Sequence, residues 1–162
     1  MPTWADICAD RTLQDLPYKV ETNRYNQIVM SPASSWHGGY EVEIASTLKQ
    51  MLPHGRAIAE CAIETTDGVR VPDVVWISKE RYAPFRRAYS LPIAPEICVE
   101  VISPGNSREQ LLGKMQLYFA AGAQEVWLCS DDGDMEFFRF DSIGPVADSV
   151  LCPGFPKHIE WD

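Results

Sequence analysis

Apolar positions along this chain recur with two different periods. Tyr40, Ile44, Leu48 and Met51 follow i, i+4, i+8 and i+11, one face of a helix. Ser34 or Ser35 can cap its start, and Pro53-His54-Gly55 stops it near Leu52. The Gly38-Gly39 pair weakens the first turn by about 1 kcal/mol per glycine. A second helix is predicted from Ser107, which forms a capping box with Gln110, to Ala121 before Gly122.

Elsewhere the apolar runs are short and bounded by turn residues, as strands are. Tyr18 to Glu21 and Gln27 to Met30 flank Asn23-Arg24-Tyr25-Asn26 and read as a hairpin. Ala57 to Ile63 reads as a strand, Asp67-Gly68 as a turn, and Val69 to Ile77 as a strand interrupted by Pro72. A proline-containing basic loop follows, from about residue 78 to 94. Glu96 to Ile102 is apolar at nearly every position, the pattern of a central strand buried on both faces. Glu125 to Ser130 and Met135 to Phe140 flank Asp131-Asp132-Gly133-Asp134 and give a second hairpin. The order ββ-α-βββ-α-ββ predicts an α+β domain, a mixed central sheet flanked by helices with hairpins at both ends.

The length of 162 residues suits one domain spanning 1–162. Its N-terminal part, 1–33, is the strand and hairpin segment, and 34–162 is the core that holds the site. No apolar run approaches a membrane span, and Met1-Pro2-Thr3-Trp4 does not open a signal peptide, so a cytoplasmic protein is expected. The five cysteines are scattered and never spaced as CxxC, which suggests neither a zinc site nor a disulfide framework. The net charge of −9 opposes a broad nonspecific grip on nucleic acid. Basic residues are concentrated locally between Lys79 and Arg87. Arg81, Arg86 and Arg87 there are candidate phosphate contacts, with a solvated loop as the equal alternative.

Glu100 carries the sharpest chemical signal. It lies inside Ile97-Cys98-Val99-Glu100-Val101-Ile102, and burying a lone carboxylate costs several kcal/mol unless a cation compensates. Asp73, after Pro72 at a strand bend, is a second carboxylate, although an acid after proline reads equally as a plain turn residue. With the Val101 carbonyl the two supply oxygen ligands for Mg²⁺ or Mn²⁺, which can activate water and polarise a phosphodiester. A lysine two residues beyond Glu100 would share its face, but Ile102 stands there. Lys114 on the following helix is the replacement candidate, with Tyr118 at i+4 beside it. An ordinary helix lysine and a structural Glu100–Lys114 ion pair are the alternatives. On the first helix Glu41 falls about 100° and His37 about 60° from Tyr40, near the buried stripe. Both are candidate accessory residues, His37 more simply a satisfied histidine at a helix start.

Together Pro72-Asp73, Val99-Glu100-Val101-Ile102-Ser103-Pro104, Lys114-x-x-x-Tyr118 and Gly122-Ala123-Gln124-Glu125-Val126-Trp127-Leu128 resemble the Uma2 family of restriction endonuclease-like proteins, within the PD-(D/E)xK nucleases. Tyr18-Lys19-Val20-Glu21, Gln27 to Ala33, His37 and Pro153-Gly154-Phe155 extend the likeness over nearly the whole chain. The resemblance implies a two-layer fold with a mixed central sheet. It also implies metal ligands at Asp73 and Glu100, and a catalytic lysine moved from strand to helix at Lys114. Gln110 departs from the family pattern and is an accessory position without an assigned role. The activity implied is Mg²⁺-dependent endonuclease-like hydrolysis, with DNA favoured over RNA as partner. The alternatives are a catalytically silent nuclease-fold module for binding or assembly, with a homodimer as its candidate state, and a hydrolase of smaller phosphate esters.

Overall fold

The computed structural model describes residues 2–32 and 34–161; Met1, Ala33 and Asp162 lie outside them. Five strands form the central sheet: β3 (Gly55–Ala59), β6 (Val74–Ser78), β7 (Ile97–Val101), β8 (Glu125–Cys129) and β9 (Met135–Arg139), in the order β3-β6-β7-β8-β9. β7 and β8 run parallel and the other neighbours antiparallel. A parallel pair needs a crossover, and helix α4 (Arg108–Ala120) provides it. β7 is central and every residue in it is buried.

Strand alternation sends each apolar set to its own helix. Val99 and Val101 pack with Tyr40, Ile44 and Leu48 of helix α2 (Ser35–Met51). Cys98, Val75, Val126 and Leu128 pack with Leu111, Met115 and Tyr118 of α4. Helices therefore cover both faces of the sheet, giving three layers where the resemblance implied two. Met51, expected in the α2 stripe, is 36% exposed, and Leu52 takes the buried place instead.

Two expected strands are each divided. Glu60 adopts φ +54°, a left-handed conformation that breaks the run Ala57 to Ile63. After it, β4 (Ile63–Thr65) pairs with β5 (Gly68–Arg70) in a separate hairpin. Pro72 then keeps β5 and β6 from being continuous, because proline offers no N–H to a ladder. The N-terminal hairpin pairs β1 (Tyr18–Thr22) with β2 (Ile28–Pro32), as expected, and lies outside the central sheet. A helix too short for a periodic signal, α1 (Trp4–Ala9), precedes it, with a Thr3–Asp6 capping box. Another, α3 (Lys79–Tyr82), opens the basic loop. Among the described residues no helix is long and apolar enough to cross a membrane.

Beyond β9 the chain returns irregularly over the α2 face, adding Cys152, Phe155 and Ile159 to the core. Glu125 anchors this segment. It is fully buried and accepts hydrogen bonds from the Ser149 hydroxyl (2.7 Å), the Leu151 and Val150 amides (2.7 and 3.1 Å) and the Trp127 indole (3.0 Å). Arg139 lies 3.4 Å away. Removing one side of such a buried network strands its partners. Glu125→Ala should therefore cost about 3–5 kcal/mol in urea melts, and speed amide exchange at Val150 and Leu151. Unchanged protection at those two amides would contradict the anchoring role.

Candidate active site

β6 pairs with β7 only as far as Val74↔Val99, so the Val101 N–H has no strand partner on that side. Asp73 fills the gap. Its Oδ2 accepts the Val101 N–H at 2.7 Å, and the side chain is wholly buried. The same oxygen faces His37 Nε2 at 3.2 Å, and this ring nitrogen also sits 3.1 Å from the Val101 carbonyl. His37 Nδ1 meets Glu41 at 3.2 Å, one helical turn on. The first two turns of α2 thus bring two polar groups toward the end of β7.

Glu100 is 1% exposed and lies on the α4 side of the sheet. The Tyr118 hydroxyl donates to Oε1 at 2.6 Å, and Lys114 Nζ lies 3.2 Å from the same oxygen. Lys114 also contacts Glu21 at 2.8 Å, and Glu21 in turn accepts the Val71 N–H at 2.7 Å. Lys19 completes the cluster. Its ammonium donates to the Val71 carbonyl at 2.7 Å and lies 2.8 Å from Asp73 Oδ1 and 3.4 Å from Glu100 Oε2. Asp73 Oδ1 is buried, with the Lys19 ammonium as its partner at 2.8 Å.

Burial alone pushes the Asp73 carboxyl upward, but the adjacent Lys19 and His37 outweigh it and hold Asp73 below the usual carboxylate range. For Glu100 burial wins: its carboxyl is raised although Lys114 and Lys19 pull it down, and Asp73 and Glu21 add to the rise. Burial also raises Glu41, against the opposing pull of His37. Burial lowers the Lys19 ammonium, and Glu100, Asp73 and Glu21 more than reverse this. Four acids, Glu21, Glu41, Asp73 and Glu100, meet three basic side chains, Lys19, Lys114 and His37.

The donors suit a hard cation. His37, Glu41 and Asp73 present ligand atoms within 4.8 Å of one another. Asp73 and Glu100 are linked through Lys19, whose ammonium lies 2.8 and 3.4 Å from their oxygens, and carboxylate oxygens are donors of the kind that Mg²⁺ and Mn²⁺ take. The buried Asp73 Oδ1, which faces the Lys19 ammonium, is an oxygen of the type such an ion takes. A cavity of about 520 Å³ opens beside it, bordered by Lys19, His37, Asp73 and Asn106 and walled by Trp4 and Ile7 of α1.

The structure brings Asp73, Glu100, Val101, Lys114, Tyr118, His37 and Glu41 together. Four candidates stand apart from these contacts. Gln110 closes the α4 capping box, its side chain accepting the Ser107 N–H at 3.0 Å. Arg81 donates to the carbonyls of Ala94 (2.8 Å) and Gly122 (3.0 Å) and sits 3.6 Å from Glu96, so its guanidinium is engaged within the fold. Arg86 and Arg87 are exposed, on a loop that leaves β6 at the end of the sheet opposite Glu100, because β6 and β7 are antiparallel. Lys19 and Glu21 were not singled out from the sequence. Their alternation about Val20 puts them on one face of β1, but a lone hairpin strand gives no sign of what that face meets.

The His37 contacts have a measurable signature. Burial lowers its pKa, but hydrogen bonds to Asp73 and Glu41 overcome this and raise it to about 10, against about 6.5 unfolded. A raised folded pKa contributes stability in full below about pH 6.5, and that contribution is lost as pH climbs through 10. The stability advantage of wild type over His37→Asn should decline between these limits, by up to about 1.4 kcal/mol per pH unit. Urea melts at pH 6, 8 and 10 measure it, and a constant difference would remove the charged contact.

No curated protein matches the sequence. The fold resembles a solved structure described as a putative nuclease belonging to DUF820 from Anabaena variabilis ATCC 29413. The TM-score is 0.71 at 20% identity, over 88% of this chain and 82% of that one. The model of a family described as "Putative restriction endonuclease" matches residues 11–149. That span holds every member of the cluster, from Lys19 to Tyr118, and on it the chain belongs to the Uma2 family.

Proposed function

We propose that this protein is a divalent-metal-dependent phosphodiester hydrolase acting on nucleic acid, with DNA favoured over RNA. The observation that carries the reading is the convergence of Asp73, Glu100 and Lys114 in one buried cluster that borders a cavity. Buried ion clusters are a poor source of stability, and apolar residues of similar volume often serve as well or better. Charge concentrated here therefore speaks for chemistry. The family description and the nuclease-like fold support the same class of reaction.

Asp73, Glu100 and the Val101 carbonyl would hold Mg²⁺ or Mn²⁺, with His37 and Glu41 as further donors. Bound metal supplies an activated water and an electrophile for the phosphate oxygen. Lys114 has one defined place: Glu21 and Glu100 hold its ammonium from two sides, at 2.8 and 3.2 Å. From there it orients the attacking water and offsets charge on the phosphate. Tyr118 fixes Glu100 through its hydroxyl, leaving Oε2 to face Asp73 and Lys19. The cavity wall formed by Trp4 and Ile7 is apolar.

One observation favours a second reading. Every carboxylate of the cluster already has a cationic or hydrogen-bonding partner within the chain, as a catalytically silent module would also require. Cleavage of plasmid, single-stranded DNA and RNA with Mg²⁺ or Mn²⁺ separates the two. Wild type should cleave at least one of them, and Asp73→Ala and Lys114→Ala should each lose about 100-fold or more. Equal activity in all three proteins, or none in wild type, favours the silent module.

A further inference from the structure

We propose that the Lys19 ammonium competes with a divalent ion for the carboxylates of Asp73 and Glu100, and that the ion enters by displacing it into the neighbouring cavity. The proposal rests on the metal-dependent reading above. Lys19 Nζ is surrounded by three oxygens from different parts of the chain: the Val71 carbonyl at 2.7 Å, Asp73 Oδ1 at 2.8 Å and Glu100 Oε2 at 3.4 Å. Two carboxylates and a peptide carbonyl are the donors of a hard divalent ion, spaced here for an ammonium instead of the roughly 2.1 Å of Mg²⁺. Asp73 and Glu100 are the two acids expected to bind the metal, so the ammonium and the ion compete for the same oxygens. Charge repulsion and volume forbid both at once.

The two lysines differ in this respect. Lys114 is held by Glu21 and by Glu100 Oε1, and it touches neither Asp73 nor the Val71 carbonyl among the described residues. It can keep its place when metal arrives, whereas Lys19 cannot. Lys19 has somewhere to go, because its side chain borders the cavity of about 520 Å³ that also reaches Asp73. A four-carbon stem with a compact ammonium can make that swing. Lys19 also belongs to a hairpin outside the central sheet, so its movement leaves the ladder around Glu100 undisturbed. The exchange sets the metal concentration at which the site loads, since the ion must first outcompete the Lys19 ammonium.

Lys19→Met keeps the length of the stem and removes the charge. Calorimetric titration with Mn²⁺, without nucleic acid, should show at least 10-fold tighter binding to Lys19→Met than to wild type. In chelator Lys19→Met should melt below wild type, and Mn²⁺ should raise its Tm more. If Lys19→Met does not fold, wild type alone still decides the matter by ¹⁵N NMR of lysine ammonium groups. Saturating Mg²⁺ should shift or abolish the solvent-protected Lys19 signal while that of Lys114 persists. Equal or weaker Mn²⁺ binding by Lys19→Met, or an unmoved Lys19 signal in Mg²⁺-saturated protein, overturns the exchange and leaves the metal-dependent reading intact. No binding by either protein overturns both.

Discussion

A carboxylate in the middle of a buried strand needs partners, and much of this structure is arranged around that need at Glu100. The strand itself cannot provide them, since its neighbours in sequence are apolar. The crossover helix α4 must approach closely enough for Lys114 and Tyr118 to reach across, and the N-terminal hairpin must lie where Lys19 closes the other side. The hairpin shares no ladder with the central sheet, so charged contacts do much of its docking. Glu21 receives the Val71 amide and Lys114, and Thr22 receives the Val69 amide. A polar requirement at one residue thereby fixes the positions of two elements that hydrophobic pairing alone leaves unspecified.

Asp73 shows how an irregularity can serve the same end. Pro72 interrupts what would otherwise be one strand, and β6 starts just after Asp73. The carboxylate then sits where a backbone acceptor would have been and takes the Val101 amide itself. A register one residue longer would replace that side-chain acceptor with a carbonyl and turn the acid elsewhere. The bend is therefore part of what brings two acids from different strands to one place.

Much of this was legible in the sequence, for physical reasons that vary by residue. Apolar periodicity marked α2, α4 and β7, because a helix face and a doubly buried strand each leave a pattern in the chain itself. Glu100 stood out because its local setting conflicts with its charge, Asp73 by its pairing with Glu100, and Lys114 because Ile102 fills the place a strand lysine would occupy. The interruption at Pro72 was readable but the break at Glu60 was not, since whether two short runs form one strand or two depends on which sheet each joins. Lys19 and Glu21 were invisible as site residues because their partners lie far away along the chain. Arg81 misled for the opposite reason: a basic loop looks available for phosphate until the carbonyls of Ala94 and Gly122 come to meet it.

Those long separations have a consequence for the chain as it is made. Lys19 reaches Glu100 across 81 residues, Glu21 reaches Lys114 across 93, and His37 meets Val101 across 64. A chain emerging from the ribosome carries the N-terminal acid and lysine long before α4 exists to receive them. Until Tyr118 has left the exit tunnel and α4 has docked, the acids stay solvated and apart, each with an ordinary carboxylate's character. The cluster thus comes into being only with the completed fold, and unfinished or clipped chains lack its concentrated charge altogether.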